Sequence, residues 1–417
     1  MSGTAARVRT RRQLPTPGAG AVASVKGLLE RPNAAFVIIL GSAGLLVLLG
    51  LVMVLSASSV ESYRDHGSSF WFWRKQVRFF ALGLPVLFVC ARLPVRAWRA
   101  LAYPSLLVAG TLLALVQVAG SHSVNGNTNW IVVGGVQVQP SEAAKLALIL
   151  WGADLLTRKH KLLTQWKHLL VPLVPVTGVV LLLVLWGNDL GTALVLIVIL
   201  LALLFFAGAP FRLFGLVLGV GGGLAGLLAA TNANRVGRIS AWLDPSSDVA
   251  QVNYQPLHGR YALGTGGWFG VGLGASREKW GNLPEAQNDF IFAIIGEELG
   301  LLGTISVLLL YTALCYGGYR VALRSTGRFE QLAAAGVTTW LGFQTLVNIG
   351  AVVGLMPVIG IPLPLVSAGG SALLTTLAAI GLLLSLARAQ AKEERAARAV
   401  LPLPEPVAVR VPEQVGR

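Results

Sequence analysis

Long apolar stretches alternate with short polar ones along almost the whole chain. Ten apolar runs fall at residues 34–55, 79–91, 101–118, 142–156, 169–186, 190–207, 213–230, 290–316, 332–354 and 372–387. A helix needs about 20 apolar residues to cross the hydrocarbon core of a bilayer. The second and fourth runs are short, and the eighth is long and broken by Gly296, Gly300 and Gly303. The pattern predicts an all-α, polytopic integral membrane protein with about ten transmembrane helices in one domain, residues 34–388. Residues 1–33, with Arg7, Arg9, Arg11 and Arg12 followed by Pro and Gly, read as a disordered basic cytoplasmic arm, and 389–417 as a cytoplasmic Pro-containing tail.

Three polar segments, 121–141, 231–288 and 355–370, are too unusual to be plain connectors. The second is far longer than an ordinary connection, so it is either disordered or functional. Its Trp242, Tyr254, Tyr261, Trp268 and Trp280 interleave with glycines, unlike a disordered tract. It is expected to be a long extracytoplasmic loop between helices seven and eight, without a separate soluble domain.

Composition narrows the class. Charged residues make up 12% of the chain, against about 25% in soluble domains, which excludes a water-soluble enzyme. The net charge of +15 does not read as a nucleic-acid surface, because the cations are scattered without an aromatic-interleaved basic face. They fit the positive-inside rule instead, and an even number of spans then places both termini in the cytoplasm. Cys90 and Cys315 each lie inside an apolar run, which argues against a disulfide framework or a zinc site.

Five places carry polar chemistry. In QPSEAAK (139–145), Glu142 and Lys145 share a helix face. The pair is either an internal salt bridge with Ser141 as cap, or a cationic ligand in a polar cavity. Asp289 stands where a loop becomes a helix, a place for an N-cap. Glu285, Glu297 and Glu298 crowd the same element, and several acids near one outer cavity suggest a site. Trp71, Phe72 and Trp73 before Arg74 and Lys75 fit an aromatic belt with snorkelling cations. Asp189 in DLGT reads as a helix cap. The stretch 362–371 reads as non-helical backbone lining a cavity. The glycines of 264–274 are weak evidence for phosphate binding, lacking a preceding strand. No acid cluster reads as an all-protein metal cage. The residues alone fit either chemistry on a membrane-bound anionic substrate or transport.

In this order, QPSEAAK, DLGTA, LGTGGWFGVGLG, LPEAQNDFIFAIIGEELG, NIGAVVGLMP and LPLVSAGGSA resemble the SEDS family of bacterial membrane proteins (shape, elongation, division and sporulation). The resemblance covers residues 34–388, and 123–126 before Trp130, with Phe343, Gln344 and Asn348, is similar to the division branch. It implies a glycosyltransferase that polymerises lipid II into peptidoglycan strands at the outer face of the cytoplasmic membrane, at the division septum. Its partners would be a class B penicillin-binding protein and other division proteins. By the same resemblance Asp289 is the catalytic acid, and Arg74 and Lys145 are cavity cations with Glu142 beside the lysine. Trp130, Ser141, Glu285 and Ser367 are expected to contact substrate. No cofactor is implied with certainty, though a divalent cation is compatible with a pyrophosphate substrate. The chain departs from the family pattern at Gln287 (usually His), Asn129 (Arg), Asn188 (Pro) and Ala368 (Tyr). A lipid II flippase and a non-catalytic division scaffold are the alternative readings.

Overall fold

The structure, a computed structural model, describes residues 31–118, 129–133, 136–162, 165–230, 233–244 and 253–400. Most of the basic arm, residues 123–126 and the end of the tail lie outside that set. The chain is a predominantly helical polytopic membrane protein with one short β-hairpin. In order run α1 (Ala34–His66), α2 (Trp71–Arg92), α3 (Val95–Val118), a hairpin of β1 (Ile131–Val133) and β2 (Val136–Val138), α4 (Pro140–Arg158), the short α5 (Trp166–Leu170), α6 (Leu173–Trp186), α7 (Leu190–Phe206), α8 (Phe211–Ala230), α9 (Ala233–Leu243), α10 (Tyr254–Gly266), α11 (Ile291–Arg324), α12 (Arg328–Val352) and α13 (Gly370–Val400).

Each of the ten apolar runs falls on a helix or a helix pair to within two residues, and most helices reach beyond their run at one end or both. Among the described residues, five helices are long and apolar enough to cross a membrane: α1, α3, α11, α12 and Gly370–Ala397 of α13. The α6 and α7 helices and Phe211–Gly223 are shorter apolar helices. α2 reaches past its apolar run because Trp71–Gln76 continues the helix.

The core is built around α12, which packs against α11, α7 and α4, while α1 and α13 close around α2 and α11. Buried small residues, Ala333, Ala334, Ala335 and Gly336, let neighbouring helices approach α12 closely. Ion pairs secure the end of the bundle away from the cavity. Asp154 of α4 is fully buried and takes Arg99 at 2.8 Å and Arg158 at 2.5 Å.

The region expected as one long loop instead carries α9, α10 and a 3-10 turn, Glu278–Trp280. These helices are short, and α9 mixes arginines with apolar residues, so a search for long apolar runs passes over them. The glycine segment after α10 folds against α11, whose backbone breaks at Gly300 (φ 69°, ψ −164°). That left-handed conformation suits glycine. The break frees backbone groups inside the helix, and the glycine segment takes them up. The Val271 amide donates to the Glu297 carbonyl at 2.9 Å and the Gly272 amide to that of Glu298 at 3.1 Å. In return, the Leu301 amide donates to the Gly267 carbonyl at 2.9 Å. Irregular backbone is thus satisfied internally, as a low-dielectric setting demands.

Candidate functional site

One end of the bundle holds a cavity of about 700 Å³. Its polar wall is supplied by Trp130, Glu142, Lys145, Asp189, Arg238, Glu285 and Asp289, among others. These residues come from the stretch leading into the hairpin, α4, the turn before α7, α9 and the turn before α11.

The α4 wall starts with Pro140 at the first helical position, where its missing N–H costs nothing. Gln139 rather than Ser141 occupies the capping position, and no side chain caps the helix. Ser141 instead donates to Asp189 at 3.4 Å and does not line the cavity. One turn on, Lys145 Nζ lies 2.8 Å from Glu142 Oε1. The lysine is 1% exposed. It also donates to Gln344 Oε1 at 3.2 Å and sits 4.8 Å from the Trp340 ring centre. The ion pair and the cavity position therefore coexist: Lys145 lines the cavity with its charge already matched. The other carboxylate oxygen of the pair, Glu142 Oε2, is buried without a hydrogen-bond partner.

Asp189 is a cap, as its position in the turn suggests. Its Oδ1 accepts from the Thr192 amide at 2.9 Å, and Oδ2 from the Thr192 hydroxyl at 2.7 Å and Gln139 Nε2 at 3.0 Å. Asp289 differs. Phe290 holds the capping position of α11, and among the described residues no hydrogen bond to the Asp289 carboxylate is found. Burial, with Glu285 close by, pushes its pKa up to about 7, while Arg238 opposes the rise. A half-buried carboxyl titrating near neutrality, open to a cavity, suits proton transfer. Gly360 (φ 80°) brings loop backbone beside it: a Cβ there would lie 3.5 Å from Asp289 Oδ2.

The non-helical segment after α12 is tightly stitched. Ser367 Oγ donates to the Asn288 carbonyl at 2.6 Å and accepts from the Leu363 amide at 2.8 Å. The Ala368 amide donates to the Gln287 carbonyl at 2.9 Å. Ser367 is buried and does not itself line the cavity; it lies behind the wall, tied to the turn that carries Asp289.

Two further groups expected near the cavity are not brought to its wall. Arg74 is exposed at the start of α2, where it donates to Ser68 Oγ at 2.7 Å, and it is not on the cavity wall. It lies on the first turn of α2, and its guanidinium turns back to the preceding loop. Glu297 and Glu298 do not converge on the cavity either. Glu297 binds the Ser276 hydroxyl at 2.5 Å and the Arg277 amide at 2.8 Å. Glu298 binds Ser56 at 2.6 Å and Lys279 at 3.2 Å. Both are spent holding the segment that patches the break in α11.

Arg238 is the cavity cation that reading the sequence did not single out. On α9 it is exposed, its guanidinium 3.5 Å from the Val358 carbonyl, and it lines the cavity with Asp289. Among the described residues it has no carboxylate within salt-bridge distance. Its position in a segment taken for a loop concealed its neighbours. No group of three or more His, Cys, Asp or Glu able to hold a metal is found among the described residues.

The model of a family described as cell cycle protein, spanning FtsW, RodA and SpoVE, matches residues 36–392. The chain belongs to this family. Among its relatives, a Mycobacterium tuberculosis protein named "Probable peptidoglycan glycosyltransferase FtsW" is 42% identical over 389 residues, which is 91% of this chain and 74% of the relative. Stage V sporulation protein E of Bacillus subtilis is 38% identical over 82% of this chain and 94% of its own. The crystal structure of Thermus thermophilus rod shape determining protein RodA superposes with TM-score 0.63 at 30% identity, covering 84% of this chain and 96% of that one. A chain from a peptidoglycan synthase complex, described as coordinating polymerization and crosslinking, gives TM-score 0.68 at 30% identity over 84% of this chain and 97% of that one.

Membership of the FtsW, RodA and SpoVE family places the chain in the cell membrane and gives its departures a structural setting. Gln287, where the family pattern has His, is buried. Its side chain lies near Glu61 of α1 and is not on the cavity wall. Asn129 and Asn188 do line the cavity. Asn188 adopts a left-handed conformation (φ 65°), which asparagine tolerates and proline cannot reach. Here the departure from Pro is matched by a change of backbone.

Proposed function

We propose that this protein is a peptidoglycan glycosyltransferase that polymerises lipid II into glycan strands at the outer face of the cytoplasmic membrane during septal wall synthesis. The observation that carries the reading is that Asp289, titrating near neutrality, lines one cavity together with Arg238. Extending a glycan requires a base to take the proton of the acceptor sugar hydroxyl. The freed oxygen attacks the anomeric carbon of the donor, and the bond to the lipid pyrophosphate breaks. Asp289 is suited to the first task and Arg238 to holding the pyrophosphate charge as it develops. Lys145, matched by Glu142, supplies local field rather than net charge. Trp130 and Glu285 are placed to meet the sugars.

The names of the relatives support this activity. The synthase complex that couples polymerization with crosslinking supports a class B penicillin-binding protein as partner. The Lys and Arg distribution supports cytoplasmic termini, with the cavity on the outer side.

The test is glycan formation from labelled lipid II by the purified protein with its crosslinking partner. Asp289→Asn keeps shape and removes basicity, so polymer formation should fall by about 100-fold or more while membrane insertion and partner binding persist. Polymerisation by Asp289→Asn close to the unaltered rate would refute the assignment of the base. Lipid movement without any polymer from the unaltered protein would favour a flippase instead.

A further inference from the structure

Two amides one helical turn apart on α12, Gln344 and Asn348, touch both charged parts of the cavity without belonging to its wall. Each is 3% exposed. Gln344 Oε1 accepts from Lys145 Nζ at 3.2 Å and from Trp340 Nε1 at 2.8 Å, and Gln344 Nε2 donates to the Pro362 carbonyl at 2.9 Å. Asn348 Nδ2 donates to the carbonyl of Asp289 and to that of Ile361, both at 2.8 Å. An amide nitrogen has two hydrogens and an amide oxygen two lone pairs, so Gln344 Oε1 and Asn348 Nδ2 are each filled, while Gln344 Nε2 makes one donation. The i, i+4 spacing puts both amides on one face of the helix.

The consequence is a two-point clamp. Adjacent carbonyls of the non-helical segment, Ile361 and Pro362, are pinned one to each amide. The cation of α4 is held to the first amide and the backbone of Asp289 to the second. Asp289 lies in a turn, outside regular secondary structure, and Ser367 and Ala368 tie that turn to the same segment. The one acceptor left over, Asn348 Oδ1, is buried without a partner. Asn348 and Asp289 both line a void of about 10 Å³ next to Gly360, about the size needed for one water.

We propose that Gln344 and Asn348 are positioning residues that fix the distance and orientation between Asp289 and the Lys145–Glu142 pair. They act through other groups and do not touch substrate. This rests on the polymerase reading above, so its test needs one readout that works without polymerisation.

Asn348→Leu keeps the size of the side chain and removes both donations. Thr345→Val is the matched control: Thr345 is buried on the same helix and its hydroxyl only donates to the Leu341 carbonyl at 2.8 Å. The groups facing Asp289 are Glu285 on its own turn, Arg238 on α9, and, across the cavity, Asp189 and the Glu142–Lys145 pair. With these unchanged, carbodiimide labelling of Asp289 against pH, read by mass spectrometry, reports its environment directly. In Asn348→Leu we expect kcat per folded molecule to fall at least about tenfold with KM within about threefold, and the labelling midpoint of Asp289 to move. Gln344→Leu should lower kcat similarly and leave that midpoint nearer its original value. Thr345→Val should change neither. If Asn348→Leu does not fold, Asn348→Ser, which retains one donor, serves in its place with a smaller shift in the same direction.

An unmoved labelling midpoint, or loss of kcat that tracks folded yield alone, would overturn the positioning role. A moved midpoint in a protein that makes no polymer would sustain the clamp and refute the polymerase reading instead.

Discussion

Two buried lysine–glutamate pairs stand among the described residues, and they have opposite surroundings. Lys145–Glu142 is a contact within one helix, lines the cavity, and leaves Glu142 Oε2 without a partner. Lys279–Glu298 joins two distant segments, lies off the cavity and is surrounded by partners: Ser56, the Gly274 carbonyl and the Ser276 amide complete it. Read from sequence, the acids of GEELG suggest a site together with Glu285, as Glu142 of QPSEAAK does with Lys145. Burial of charge therefore does not mark a site. The distinguishing feature is an acceptor left unfilled beside open volume, whereas a saturated pair indicates architecture.

The largest effects should come from breaking each pair and then removing it entirely. Taking away one partner strands a buried charge, at a cost of about 3–5 kcal/mol. Glu298→Leu and Glu142→Leu should both lower the unfolding temperature in detergent strongly. Apolar replacement of both partners is often close to neutral. Lys279→Met with Glu298→Leu should then recover most of the folded protein and, with it, polymerisation. Lys145→Met with Glu142→Leu should recover folding but stay about 100-fold or more below the unaltered activity. Recovery of activity in both double variants would erase the contrast and reduce the cavity pair to a structural one.

The same contrast explains what could be read in advance. The helices were legible because lipid-facing surface demands long apolar runs, and the DLGT cap because Asp189 sits immediately before its helix. Asp289 and Glu142 also stood out, each being an acid at the entrance to an apolar helix. Arg238 did not, since α9 is too short and too polar to resemble a span. Where Arg74, Ser367 and Glu298 point was not legible, because residue type and neighbours in sequence say nothing of direction. Arg74 turns to its own loop, Ser367 into the loop backbone, and Glu298 toward Lys279. The amide clamp on α12 was invisible because glutamine and asparagine within an apolar helix acquire meaning only from the carbonyls they meet.

A smaller effect separates the cavity from the patch by pH. Burial near Glu285 holds the Asp289 carboxyl up to about 7, so the folded protein binds this proton more tightly than the unfolded chain. Its contribution to stability is complete below the ordinary carboxylate range and is lost as pH rises through about 7. Activity should move the other way, because a base must be ionised: kcat/KM should rise with pH to a plateau above about 7. Asp289→Asn should flatten the stability profile over that interval. Glu298→Leu with Lys279→Met, remote from the cavity, should leave both limbs in place. An activity limb far below pH 6 would show that Asp289 ionises as an ordinary carboxylate.

The smallest expected change concerns Arg238. Its positive charge opposes the rise in the Asp289 pKa, so Arg238→Gln should move the acid limb to higher pH. The guanidinium is exposed and screened, which keeps the displacement below that produced by removing burial or Glu285. Added salt should weaken the difference between the unaltered protein and Arg238→Gln. At a pH well above the limb, where Asp289 is ionised in both, any remaining deficit isolates the second role of the arginine. If Arg238 also holds the pyrophosphate, KM for lipid II should rise by about tenfold there. A limb that moves while KM stays constant would confine Arg238 to tuning the base. Conversely, an unmoved limb with a raised KM would make it an anion contact too far from Asp289 to tune it.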